Sequence, residues 1–151
     1  MTIWYQQLAL QELNKRGENT AVSYLGIEIT EIGDDFLKGT MPVDQRTKQP
    51  MGLLHGGASV LFAESLGSIA ANCCVNPAQF FCVGMEINAN HLRGVKGGVV
   101  SGIASPLHLG STTQVWEIKI YNAVNKLVCV SRLTMAVVKK NHDENLKEKQ
   151  A

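Results

Sequence analysis

Between Lys48 and Glu86 the chain carries a single formally charged side chain, Glu64. It stands among Val60, Leu61, Phe62, Ala63, Leu66 and Ile69, and a glutamate is seldom buried in such company without a partner. One reading puts it on a wet strip of a helix, or pairs it with a distant arginine. The other makes it a general base or nucleophile in an apolar cleft, where lost hydration favours proton uptake by a carboxylate. Ser68 follows at i+4 on the same helical face, where its hydroxyl could orient that carboxylate. A helical serine also commonly bonds the carbonyl four residues back, which would take Ser68 out of the chemistry. Just upstream comes His55-Gly56-Gly57. Paired glycines at a helix start leave backbone N–H groups free, with no side chain to block a carbonyl or an anion. They equally suit a plain tight turn, and His55 equally suits a helix cap. Gln49, six residues earlier, supplies an amide donor or is simply surface.

These residues need elements to hold them. Ala58–Val75 has strong helical character and stops near Asn76-Pro77. Ile3–Lys15 reads as a shorter helix ended by Gly17. Leu25–Ile32 and Phe36–Val43, split by Gly33-Asp34-Asp35, read as a hairpin. Phe80–Leu92 alternates, with Val83, Met85, Ile87 and Ala89 on one face and Glu86, Asn88 and Asn90 on the other. Gly98–Ala104, Thr112–Tyr121 and Leu127–Val138 complete the strands, with a turn region at Ser105–Ser111. Strands joined this tightly imply an antiparallel sheet, and a helix this apolar must be covered nearly all round. The expected architecture is α+β, a curved antiparallel sheet wrapped around one central long helix.

The composition permits one domain of 151 residues with a real core. Fourteen basic residues against 13 acidic ones give a formal charge of +1, leaving no electrostatic footprint for nucleic acid or an anionic membrane. Residues 1–138 form the expected domain. The charged run 139–151 is expected to be a disordered tail. Cys73, Cys74, Cys82 and Cys129 lie in apolar runs without metal-ligand spacing, and residues 1–17 lack a signal-peptide pattern. Glu64, Ser65, Ser68 and Asn72 interrupt the one stretch that approaches a membrane span. A cytoplasmic protein is the simplest expectation.

No nucleophile-elbow, phosphate-loop, dinucleotide or metal motif is present in the sequence, and no cofactor is expected. A carboxylate with polarising N–H groups suits hydrolysis of an activated acyl compound.

The run from Thr40 through Leu54-His-Gly-Gly-Ala-Ser59 to Ala63-Glu-Ser-Leu-Gly-Ser68 closely resembles hotdog-fold acyl-CoA thioesterases of the PaaI-like branch, which hydrolyse 1,4-dihydroxy-2-naphthoyl-CoA and 4-hydroxybenzoyl-CoA. Gly84-Met-Glu-Ile-Asn-Ala-Asn-His91 and Pro106-Leu-His-Leu-Gly-Ser111 add to the match, which runs from about Trp4 to Val138. The resemblance implies Glu64 as catalytic nucleophile or general base, with the Gly56 N–H polarising the thioester carbonyl. It places Gln49 and His55 along the same pocket and the Ser68 hydroxyl near the attacking group. It further implies CoA contacts at Gly84, at His91, Leu92, Arg93 and Gly94, and at His108, Leu109, Gly110, Ser111, Thr112 and Thr113. Two departures stand out: Gly94 replaces a frequent serine, and Thr112-Thr113 replaces a frequently basic pair. Coenzyme A enters as part of the substrate.

Two other functions suit the same residues. An acyl-thioester dehydratase or hydratase would pair a histidine with an acid, a pairing for which His55 and Glu64 are the candidates. A non-catalytic acyl-CoA binding module would leave Glu64 idle, and an idle buried carboxylate only destabilises. Helical spacing also predicts the assembly. Gly56 and Glu64 are eight residues apart, about 12 Å along a helix axis, whereas reacting groups must approach within about 3–3.5 Å. A homodimer with shared active sites is therefore expected; the resemblance adds a dimer of dimers, while the residues leave dimer and tetramer open.

Overall fold

The computed structural model describes residues 1–141. Two short helices, α1 (Leu10–Arg16) and α2 (Ala21–Tyr24), precede strands β1 (Glu28–Ile32) and β2 (Leu37–Pro42). The long helix α3 (Gly56–Cys73) follows, and then β3 (Phe80–His91), β4 (Val99–Leu109), β5 (Thr113–Tyr121) and β6 (Leu127–Lys139). All six strands form one antiparallel sheet in the order β1-β2-β4-β5-β6-β3. The expected sheet around a central helix is the observed one.

Helix α3 lies very close to the sheet, and glycine makes this possible from both sides. A Cβ on Gly67 of the helix would stand 2.7 Å from Leu133 Cδ2 of β6. A Cβ on Gly102 of β4 would stand 2.7 Å from Leu66 Cδ1 of α3. Phe62, Leu66, Ala63, Trp116, Ile118 and Leu133 close the core between them. The buried polar side chains are satisfied: the Trp116 indole N–H donates to Gln114 Oε1 at 2.9 Å. Asn72 fastens α3 to β3. Its Oδ1 accepts from the Cys82 N–H at 2.8 Å, and its Nδ2 donates to the Cys82 carbonyl at 3.1 Å.

The two edges of the sheet differ. On β1, five residues long, Asn14 accepts from the Ile29 N–H at 2.8 Å and donates to the Ile29 carbonyl at 3.0 Å. A register shift between Ile29 and Glu31 disturbs that edge further. On β3 the edge runs for 12 residues, with Val83 and Met85 exposed. Short, clipped and bulged edges resist pairing, whereas long apolar ones invite it.

Four expectations are corrected. The N-terminal helix begins at Leu10, not Ile3, because the first residues are stitched down as an extended arm: Ile3 N–H donates to Asp34 O, Tyr5 N–H to Cys73 O, and the Trp4 indole to Gly33 O at 2.7 Å. The simple alternation in β3 fails because a bulge between Gly84 and Glu86 switches faces. Cys82 therefore points into the core before the bulge and Ile87 and Ala89 after it, while Val83 and Met85 face outward. Strand β4 continues through the expected turn region to Leu109, absorbing Pro106 beside a second bulge. Strand β6 reaches Lys139, and Lys140 N–H donates to Gln79 O, so the tail starts later than residue 139; its remainder, 142–151, lies outside the described residues.

Two outcomes follow. Gly67→Val should cost about 1–3 kcal/mol by overpacking, read as a lower urea midpoint at unchanged m. Burial pushes the Cys74 thiol up to about 12 and the Cys82 thiol up to about 11, and raises Cys73 and Cys129 as well. At pH 8 the folded protein should react with a disulfide reagent very slowly, and should release all four thiols only once unfolded in guanidinium.

Candidate active site

Helix α3 starts where its sequence says it can. His55 is the N-cap: its Nδ1 accepts from the Gly57 N–H at 2.8 Å, which places the ring proton on Nε2. The cap engages Nδ1, and among the described residues His55 makes no hydrogen bond or ion pair with Glu64. The Gly56 N–H makes no hydrogen bond among the described residues, as the first turn of a helix permits. Above it lies His91, whose Nε2 would be 2.9 Å from a Cβ on Gly56. Gln49 is held in its loop by its own Oε1, which accepts from Met51 N–H, so its amide nitrogen remains to donate.

These residues bound a cleft of about 350 Å³ that gathers Gln49, Gly56, His91, Leu92, Arg93 and Gly94. One positive side chain, Arg93, and one helix N-terminus face this space, a combination suited to an anion or a polarised carbonyl. Gln49 and Gly56, expected to share a pocket with His55, line this cleft together, whereas His55 is not among its lining residues. The segment His91–Gly94 joins the same cleft, because β3 ends against the start of α3.

Glu64 lies elsewhere. It lines a second cleft of about 300 Å³, with Leu61, Ser65, Ser68 and Ile69 of α3 and Val22 of α2. Its Oε1 would touch a Cβ on Gly84 at 2.5 Å, so the absence of a side chain on β3 makes room for the carboxylate. Among the described residues Glu64 accepts no hydrogen bond and joins no ion pair. Ser68 shares the cleft without bonding Glu64. The back-bond expected of a helical serine belongs to Ser65, whose hydroxyl donates to Leu61 O at 2.6 Å.

The remaining residues lie at a third place. Gly110, Ser111, Thr112 and Thr113 form the β4–β5 hairpin, closed by Gly110 N–H donating to Thr113 O at 2.9 Å, with the His108 ring folded over Gly110. Leu109 is the exposed last residue of β4. Thr113 is paired through Ala136 with Val83, and Ile120 through Cys129 with His91. Seven rungs of about 3.3 Å therefore separate the hairpin from the His91 end, roughly 23 Å. The two segments assigned together to CoA do not meet within one chain.

Sequence reasoning missed Asn72 and Val22. Asn72 looked like an interruption of an apolar run, and an asparagine deep in a helix is itself a signal that its amide has backbone to bond. Val22 gave no signal at all.

The Thioesterase superfamily model matches residues 51–129, the stretch that holds Gly56, Glu64 and most of the sheet. The chain belongs to the Thioesterase superfamily. It is 53% identical over 136 residues to the 1,4-dihydroxy-2-naphthoyl-CoA hydrolase of Escherichia coli, covering 90% of this chain and 99% of that protein. It is 50% identical to the proofreading thioesterase EntH of Cronobacter turicensis, covering 90% and 98%. A mutant thioesterase of Pseudomonas aeruginosa superposes with a TM-score of 0.91 at 49% identity, over 92% of this chain and 100% of that one. A thioesterase of Haemophilus influenzae gives 0.90 at 48%, over 93% and 99%. The hotdog thioesterase has six strands around one helix, and this chain is a thioester hydrolase of that fold.

Gly84 offers a direct test of where the carboxylate sits. Gly84→Ala should keep the melting temperature within a few degrees, because the Glu64 side chain can swing aside. It should lower kcat at least tenfold, since a misplacement of about 1 Å can cost 10²-fold.

Proposed function

We propose that the chain is an acyl-CoA thioesterase acting on an aromatic or otherwise bulky acyl group, through active sites shared between two copies. The observation that carries the reading is the unpartnered Glu64 carboxylate in a largely apolar cleft, on the same helix whose first N–H, Gly56, is also free. Glu64 acts as base on water, or attacks the thioester carbonyl itself. In either route the Gly56 N–H meets the negative charge that develops on the carbonyl oxygen. As base, Glu64 takes a proton from the attacking water and passes it to the sulfur as the carbon–sulfur bond breaks, releasing acid and CoA thiol. As nucleophile, it forms a mixed anhydride as the CoA thiolate leaves, and water then hydrolyses that anhydride, freeing Glu64 and supplying the thiolate's proton. Gln49 and His55 line the carbonyl corner, Ser68 stands by the attacking group, and Arg93 with His91 faces the CoA phosphates. The acyl preference is taken from the relatives named above, one of which is a naphthoyl-CoA hydrolase.

Sharing follows from distance. Glu64 sits at Gly84 and Gly56 sits at His91, seven residues apart on β3 and eight apart on α3. A second copy paired antiparallel along the open β3 edge, about a two-fold axis near Ile87 and Asn88, sets the Gly84 end of one copy beside the His91 end of the other. The same operation carries the β4–β5 hairpin of one copy toward His91–Gly94 of the other. Both separations are then bridged at once.

Two measurements test the reading. Glu64→Gln should fold and associate like the parent, yet lose about 10²–10⁴-fold in thiol release from acyl-CoAs, and more if Glu64 is the nucleophile. Activity within tenfold of the parent would move the chemistry elsewhere. For sharing, Glu64→Ala subunits are mixed with Gln49→Ala/His55→Ala subunits and allowed to exchange. Half the dimers should be mixed with one intact site each, returning about a quarter of the parent activity. Confirmed exchange without recovery would exclude the shared site.

A further inference from the structure

The Glu64 cleft has an unusual construction. Leu61, Glu64, Ser65, Ser68 and Ile69 stand at i, i+3, i+4, i+7 and i+8 of α3, so they form one face of one helix. A single helical face makes a floor, not a pocket. The one lining residue from elsewhere in the chain is Val22, on the four-residue helix α2. We propose that Val22 is the residue that sets the size of the acyl group admitted beside Glu64, an inference that rests on the thioesterase reading above.

Val22 is built to hold its position. Its N–H donates to Thr20 Oγ1 at 3.2 Å, and its carbonyl accepts from Ile27 N–H at 3.0 Å. Thr20 is itself anchored by its hydroxyl on Gly17 O at 2.6 Å. Two residues on, the Tyr24 carbonyl accepts from Arg46 Nη1 at 3.0 Å, and Arg46 is paired with Asp44 at 2.7 Å. Behind the side chain lies Gly17, where even a Cβ would come within 3.1 Å of Val22 Cγ1. The side chain therefore cannot retreat. A β-branched residue in a helix also has essentially one χ1 rotamer, so it presents a stiff wall.

The cleft volume makes that wall matter. The cleft within one copy measures about 300 Å³, so one added ring at its Val22 end consumes a large share of the space that this copy contributes. One methylene in an apolar pocket already discriminates about 10–200-fold. Ser65 commits its hydroxyl proton to Leu61 O, and the apolar side chains of Val22, Leu61 and Ile69 make size a lever on selection at that end.

The test compares kcat/KM for 2-naphthoyl-CoA with that for hexanoyl-CoA in the parent, Val22→Phe and Val22→Ala, each checked by thermal melting. The naphthoyl-to-hexanoyl ratio should fall more than tenfold in Val22→Phe and rise about threefold or more in Val22→Ala. If Val22→Phe does not fold, the rise in Val22→Ala decides alone. A ratio unchanged within about twofold in the folded variants overturns the role of Val22 and leaves the thioesterase reading standing. A parent that releases thiol from neither substrate nor from benzoyl-CoA overturns both.

Discussion

Everything in this molecule depends on how closely α3 can approach the sheet. Gly67 on the helix and Gly102 on β4 remove the two side chains that would hold the layers apart. The contact brings Phe62 and Leu66 against the strands and leaves the opposite face of the helix for chemistry. Asn72 then fixes the helix against sliding along β3, because its amide is committed to both backbone groups of Cys82. Close packing alone is tolerant of small shifts; a paired amide is directional, and it sets where Glu64 falls relative to Gly84.

The rigidity of that one helix also keeps Gly56 and Glu64 in separate clefts of one copy. A straight helix cannot shorten the axial distance between its first N–H and a carboxylate two turns later. The strand alongside repeats the separation, because His91 lies over Gly56 while Gly84 lies over Glu64. On the proposed reading these two clefts are halves of one site, and they do not meet within a copy. An open edge between them is the geometric remedy, and it costs the fold little because β3 is otherwise well paired with β6.

The fold was legible because its signals are local and repeated: an apolar helix bounded by Gly56 and Pro77, and strands separated by turn residues. Its errors arose where a distant contact outweighed the local pattern. Trp4 is anchored on Gly33, 29 residues away, so good helix formers before Leu10 remain extended. The bulge at Met85 spoiled an alternation that looked regular in the letters, and Pro106 lies within a strand that bends around it. Within the candidate site, Glu64 and Gly56 stand out in the letters because an isolated charge and a glycine pair are conspicuous. Val22 was not, since a valine in a short helix is unremarkable until α3 is seen to lack a wall.

The contrast between the two sheet edges bears on how many copies can join. Asn14 occupies the free N–H and carbonyl of Ile29, which withdraws β1 from pairing, while β3 stays available. A sheet with two available edges can add copies at both and grow into an endless ribbon. Among the described strands β3 is the edge left open, so copies that joined through it would use up that edge and edgewise growth would end there. On β1 that asparagine acts together with the strand's short length and its bulge, so the closing of the edge is shared among three features rather than hung on one side chain.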